Sequence, residues 1–160
     1  MLNTDSYKVD DSATFLTQGE ELIDTFGMVT ERKPSWKEYF FVKNFVLGKA
    51  VELLLKSFLL STADYNSVKE VNSKFGNDLL KLGQEVSLYK NSAIVPVYKV
   101  LQNGDLKNIE EINKTYSKKE AEDVKFGEKN TVELGILFDT ATSIKNNVKE
   151  AIESGKRFSK

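Results

Sequence analysis

The chain has 160 residues, 40% hydrophobic and 11% aromatic, with 23 Lys and Arg against 24 Asp and Glu for a net charge of -1. That length suits one domain, which buries roughly 70% of its unfolded surface without needing a disulfide or a metal. It holds no His and no Cys, which excludes thiolate nucleophiles, Cys-ligated metals and any triad built on imidazole, and the balanced charge leaves nucleic acid only a local patch.

Residues 1–11 are polar and are expected to fray. No basic stretch precedes an apolar run there, so no signal peptide is expected. A first helix is expected over residues 12–27, with Ser12 as N-cap, a stripe of Phe15, Leu22 and Phe26 with Leu16 and Ile23 beside it, and Gly27 as its stop. A loop follows, and Ser35 is placed to cap a long second helix over residues 36–61. Trp36, Phe40, Leu47, Val51, Leu54 and Phe58 share one face, and Tyr39, Val42, Val46, Leu53 and Leu60 widen it almost all round. That pattern marks the central helix of a bundle, or one whose surplus a partner covers. Lys43, Asn44, Lys49, Glu52 and Lys56 interrupt it, and a bilayer core rejects such residues. No membrane contact is expected, and the chain reads as cytoplasmic.

A polar stretch follows over residues 62–75. A third helix starts near Asn77-Asp78 with Leu79, Leu82, Val86 and Tyr89 on one side, and residues 93–102 read as helical after a break at Pro96. Gly104-Asp105 marks a turn and N-cap for a short helix with Leu106, Ile109, Ile112 and Tyr116. Residues 117–129 read as a charged loop or frayed helix. The last helix, residues 130–154, carries Leu134, Leu137, Phe138, Ala141, Ile144, Val148 and Ile152 and stops at Gly155, leaving a basic tail, 156–160, expected to be loose. One all-α domain spanning 1–160, an up-and-down bundle of about four to five helices, buries these stripes most simply.

No Gly-rich phosphate loop and no EF-hand spacing occurs, so neither cofactor nor metal is expected. Asp10-Asp11 and Glu20-Glu21 diverge on a helix and read as solvated. Glu52 stands amid apolar residues. A buried carboxylate with a raised pKa is a catalytic candidate, whereas a rim glutamate paired with Lys56 four residues on is the commoner arrangement. Asn77 and Asp78 suit helix capping as well as ligand binding. Lys114, Lys118, Lys119 and Lys125, with Tyr116 and Phe126 near them, form one basic cluster, and Lys145, Lys149, Lys156, Arg157 and Lys160 another. Acidic residues interleave the first, which favours a solvated mixed-charge face over a phosphate site.

Ala50, Glu52 and Lys56, then Gly76-Asn77-Asp78-Leu79, resemble the alanine-x-glutamate-x-x-x-lysine helix and glycine-histidine-aspartate-leucine helix start of the HEPN superfamily. Ile112-Asn113-Lys114-Thr115-Tyr116 and the final amphipathic helix are similar to the family's second half, so the likeness covers about residues 36–154. It implies a helical bundle and a residual binding groove. Catalytic members cleave RNA with an arginine, a short polar spacer and a histidine. This chain has no histidine, and Asn77 stands in the motif position where one is frequent. An amide hydrogen-bonds but takes no proton at neutral pH.

The expectation is therefore a non-catalytic HEPN-like module that dimerises or docks a protein partner. The alternatives are a nucleotide- or RNA-binding protein, with Asn77, Asp78, Lys81, Tyr116 and Lys119 lining the site, or an accessory subunit of a larger assembly. No signal for DNA is present.

Overall fold

The computed structural model describes residues 4–32, 36–89, 99–116 and 134–155, together with Phe158 and Lys160. These form six helices: α1 Thr4–Arg32, α2 Trp36–Ser61, α3 Val68–Phe75, α4 Leu79–Ser87, α5 Asp105–Tyr116 and α6 Leu134–Glu153. No strand occurs among the described residues, and the fold is the all-α bundle that the apolar stripes called for.

Helix α2 is its axis. Every residue from Ala50 to Leu60 is buried, and α2 touches each of the other helices. Leu47, Leu54, Leu55, Phe58 and Leu59 pack there with Ile23 of α1, Leu79 and Leu82 of α4, Ile109 and Ile112 of α5 and Ile144 of α6. Each such side chain contributes about 1.5–3 kcal/mol when fully removed from water. The apolar surplus of α2 is thus covered by the chain's own helices from Leu47 onward, whereas Phe45, just before that stretch, is 53% exposed. The side chains of Trp36, Tyr39, Phe40 and Val42 lie outside the described residues.

Helix α1 runs antiparallel to α2. Near one end Ser12 Oγ donates to the Ser57 carbonyl at 2.9 Å while Ser57 Oγ donates to the Ser12 carbonyl at 2.7 Å. Further along, Gly19 lies so close to α2 that an added Cβ would stand 2.8 Å from Leu54 Cγ. Helix α6 runs antiparallel to α1 along its other side, where Phe26 stacks on Phe138 at 4.9 Å, and Lys149 meets Glu20 at 2.9 Å. Helices α4 and α5 close the remaining side of α2.

Several expected boundaries change. Helix α1 begins at Thr4 and runs through Gly27 to Arg32. Ser12 is therefore an interior, buried residue tying two helices together and not an N-cap. An isolated helical glycine costs only about 1 kcal/mol, which the packing of α1 against α2 and α6 outweighs. The polar stretch before Gly76 contains α3, capped by Ser67 accepting from the Glu70 N–H and buried on Val71 and Phe75. Residues 99–104 are not helical. Ser35, Ile94 to Val97 and the charged segment with Lys118, Lys119, Lys125 and Phe126 lie outside the described residues.

Candidate functional site

Helix α2 places Lys49, Glu52 and Lys56 on one face, since residues three and four apart are neighbours on a helix. Glu52 is 4% exposed and Lys56 3%, so the pair is a core element and not the rim pair that its spacing suggests. Lys56 Nζ donates to Glu52 Oε1 at 2.6 Å and to Asn72 Oδ1, from α3, at 2.7 Å. Lys49 Nζ forks across both carboxylate oxygens at 3.1 Å from each. The Tyr116 hydroxyl, arriving from the end of α5, donates to Oε2.

That last contact depends on Gly48. A Cβ at this position would lie 2.4 Å from Tyr116 Cγ and 2.7 Å from Tyr116 Cβ. The missing side chain is what lets the Tyr116 ring lie flat on α2, with its hydroxyl over Glu52. Phe45, one turn earlier on the same helix, meets the ring at 5.7 Å between centroids. The network thus runs from a buried carboxylate out to an exposed aromatic and to Lys49, whose side chain is 40% exposed.

The electrostatics follow from the partners. Burial pushes the Glu52 carboxyl up, but hydrogen bonds from Lys56 and Tyr116 and the charges of Lys56 and Lys49 outweigh it and hold it below the ordinary glutamate value. Burial, followed by the hydrogen bond to the Glu52 carboxylate and its charge, pushes the Tyr116 phenol far up. Glu52 is therefore an anion with both oxygens occupied, and Tyr116 keeps its proton. Neither is poised near neutrality, as a general acid or base needs to be.

Of the residues expected to line a ligand site, Asp78 is the N-cap of α4, its carboxylate accepting from the Leu80 and Lys81 N–H groups. It also accepts from Asn113 Nδ2 at 3.2 Å, and Asn113 Oδ1 accepts the Leu79 N–H at 2.8 Å. The capping reading holds for Asp78, with α5 locked onto the same cap. Asn77 is exposed beside it. Lys81 is exposed, with an ion pair to Asp78 at 3.7 Å. Tyr116 belongs to the Glu52 network, and Lys119 lies outside the described residues. Of the four that are described, Asp78 and Lys81 thus belong to the α4 cap and Tyr116 to the Glu52 network.

Lys49, Asn72 and Asn113 were the members that residue-by-residue reading passed over. Lys49 is recoverable from its spacing three before Glu52, whereas Asn72 and Asn113 act only through tertiary contact. Among the described basic residues, Lys114 pairs with Glu111, Lys145 with Asp24, Lys149 with Glu20 and Lys160 with Glu85. Lys114, the one described lysine of the first cluster, thus has the acidic neighbour that a mixed-charge face calls for, and the described lysines of the second cluster are each paired with a carboxylate as well.

Among the described residues, no group of three or more acidic side chains is placed to hold a metal ion, and no helix is long and apolar enough to cross a membrane. Compared with known proteins, the chain matches no family model, no curated protein and no solved structure at a significant level.

Proposed function

We propose that the protein is a non-catalytic, HEPN-like binding module whose working surface is the Phe45–Tyr116 face of α2 and α5, with a second copy of the chain or another protein as its partner. One observation carries this reading: Phe45 is 53% exposed against a tyrosine whose hydroxyl is already committed to Glu52. A rigid aromatic step, braced from beneath by a buried ion pair, presents contact area at little entropic cost, as interface anchors do. The saturation of Glu52 argues in the same direction, since it removes this buried glutamate from acid–base work.

Light scattering across a wide concentration range, with pull-downs from cell extract, tests it. A rise in mass with concentration, or a specific partner, is expected, and Phe45→Ser abolishes it. A strict monomer with no partner overturns the reading.

A second reading has its own support. Two ammonium groups, Lys49 and Lys56, face the single Glu52 carboxylate, leaving a local positive charge beside an exposed aromatic ring. That combination suits a nucleobase and its phosphate. Thermal shifts with nucleotides and short RNAs separate the two. A salt-sensitive stabilisation lost in Lys49→Ala favours nucleotide or RNA binding, and flat responses favour the protein partner.

A further inference from the structure

A second polar cluster lies away from Glu52, around the loop between α2 and α3 and the last turns of α4. Phe158 of the tail is buried and meets the Phe58 ring at 5.4 Å, and Phe58 in turn meets Tyr89 edge-on at 5.5 Å. Two residues on, Lys160 donates to the Glu85 carboxylate. Its ammonium stands 5.7 Å from the Tyr65 ring centre and 5.5 Å from that of Tyr89. The walls are themselves fixed. Tyr65 donates to Glu85, Lys74 donates to Tyr65 at 2.9 Å, and Tyr89 donates to Asp64 at 2.6 Å.

Two aromatic faces and a carboxylate around one ammonium are the elements of a cation-recognition cage. The neighbouring apolar seat takes an aromatic side chain. The spacing is set by the tail, with one residue between the ring and the ammonium. Neither wall tyrosine needs Lys160 for its own hydrogen bond, so the cage stays formed when the lysine leaves.

We propose that Phe58, Tyr65, Tyr89 and Glu85 form a peptide-binding site for a segment carrying an aromatic residue, one spacer and a lysine, occupied here in cis by Phe158 and Lys160. A partner segment of the same pattern enters when the tail vacates it. The inference stands on different residues from the Glu52 site and survives if that reading fails.

The test uses the full-length chain with Phe158→Ala and Lys160→Ala together, and a synthetic heptapeptide of the sequence of residues 154–160, followed by calorimetry. Saturable binding to the double variant is expected. Binding to the wild type is at least about tenfold weaker, because the tethered tail competes at an effective concentration in the millimolar range. Adding Glu85→Gln weakens the peptide about tenfold, the usual worth of a hydrogen bond to a charged group. Should the double variant fail to fold, Lys160→Ala alone serves, since this side chain is 39% exposed, and it binds the peptide more tightly than the wild type does. Absence of binding to the vacated protein, or equal binding of a peptide with its last lysine changed to alanine, overturns the proposal.

Discussion

The Tyr116 hydroxyl donates to the Glu52 carboxylate across 64 positions of sequence. This contact joins the end of α5 to the middle of α2 and completes the coordination of a buried anion that two lysines also hold. Its consequences for stability are direct, because each partner is costly to strand.

Replacing Glu52 by Gln leaves the Lys56 ammonium buried without its counter-charge. Breaking a buried pair from one side costs about 3–5 kcal/mol, whereas replacing both members by apolar residues of similar size is often neutral or stabilising. In urea titrations, Glu52→Gln and Lys56→Met are each expected to lower stability by that amount. The double variant Glu52→Met with Lys56→Met is expected to recover most of it.

The pair also sets an acid limit. The folded-state pKa of Glu52 lies below its ordinary value of 4.5, as does that of Glu85, which is held down mainly by its hydrogen bonds to Lys160 and Tyr65 against the upward push of burial. The native state then binds these protons less readily than the unfolded state. Their stabilisation is fully present above pH 4.5 and is lost as pH falls through the lower folded values. Asp105 runs the other way, because burial raises its pKa, and acid relieves it. Denaturation midpoints followed from neutral pH downward are expected to fall more steeply in the wild type than in Glu52→Gln. Parallel profiles would count against the depressed carboxyl.

Gly48→Ala places a methyl where the Tyr116 ring lies. Overpacking of this kind costs about 1–3 kcal/mol. Tyr116→Phe keeps the ring and deletes the hydroxyl, for about 1.5–3 kcal/mol, as expected of a hydrogen bond to a charged group. In a Tyr116→Ala background, where the ring atoms are gone, Gly48→Ala is expected to cost less than it does alone. A double-mutant cycle measures the difference, and strict additivity would refute the contact.

Ser57→Ala removes the hydroxyl that donates to the Ser12 carbonyl. The loss is expected to be about 0.5–1.5 kcal/mol, since the Ser12 hydroxyl keeps its bond to the Ser57 carbonyl. Thermal unfolding resolves it as a drop of a few degrees in Tm.

Much of the bundle was legible in the residues. Helix α2 announced itself because apolar side chains recur on most of its faces, and α6 because Leu137, Ala141, Ile144 and Val148 keep helical spacing. Helix α3 escaped notice because Val68, Val71 and Phe75 are its only large apolar residues and sit among polar ones. The extent of α1 was misjudged because Ser12 and Gly27 carry terminator chemistry locally, while tertiary packing overrides both. At the site, the Glu52–Lys56 spacing revealed the pair but not its depth. Lysine ordinarily marks surface, and its burial depends on α3 supplying Asn72 and α5 supplying Tyr116. That supply is a long-range fact which no window of sequence contains.

The ion pair between Lys149 and Glu20 spans 129 positions, and with it comes a temporal asymmetry. In the order of synthesis α1 and α2 precede α6. The side of α1 that carries Phe26 therefore waits for Phe138 and the rest of α6. Until α6 emerges, that apolar strip is not yet covered by it. A ribosome stalled before α6 would display an apolar surface of the kind on which aggregation starts.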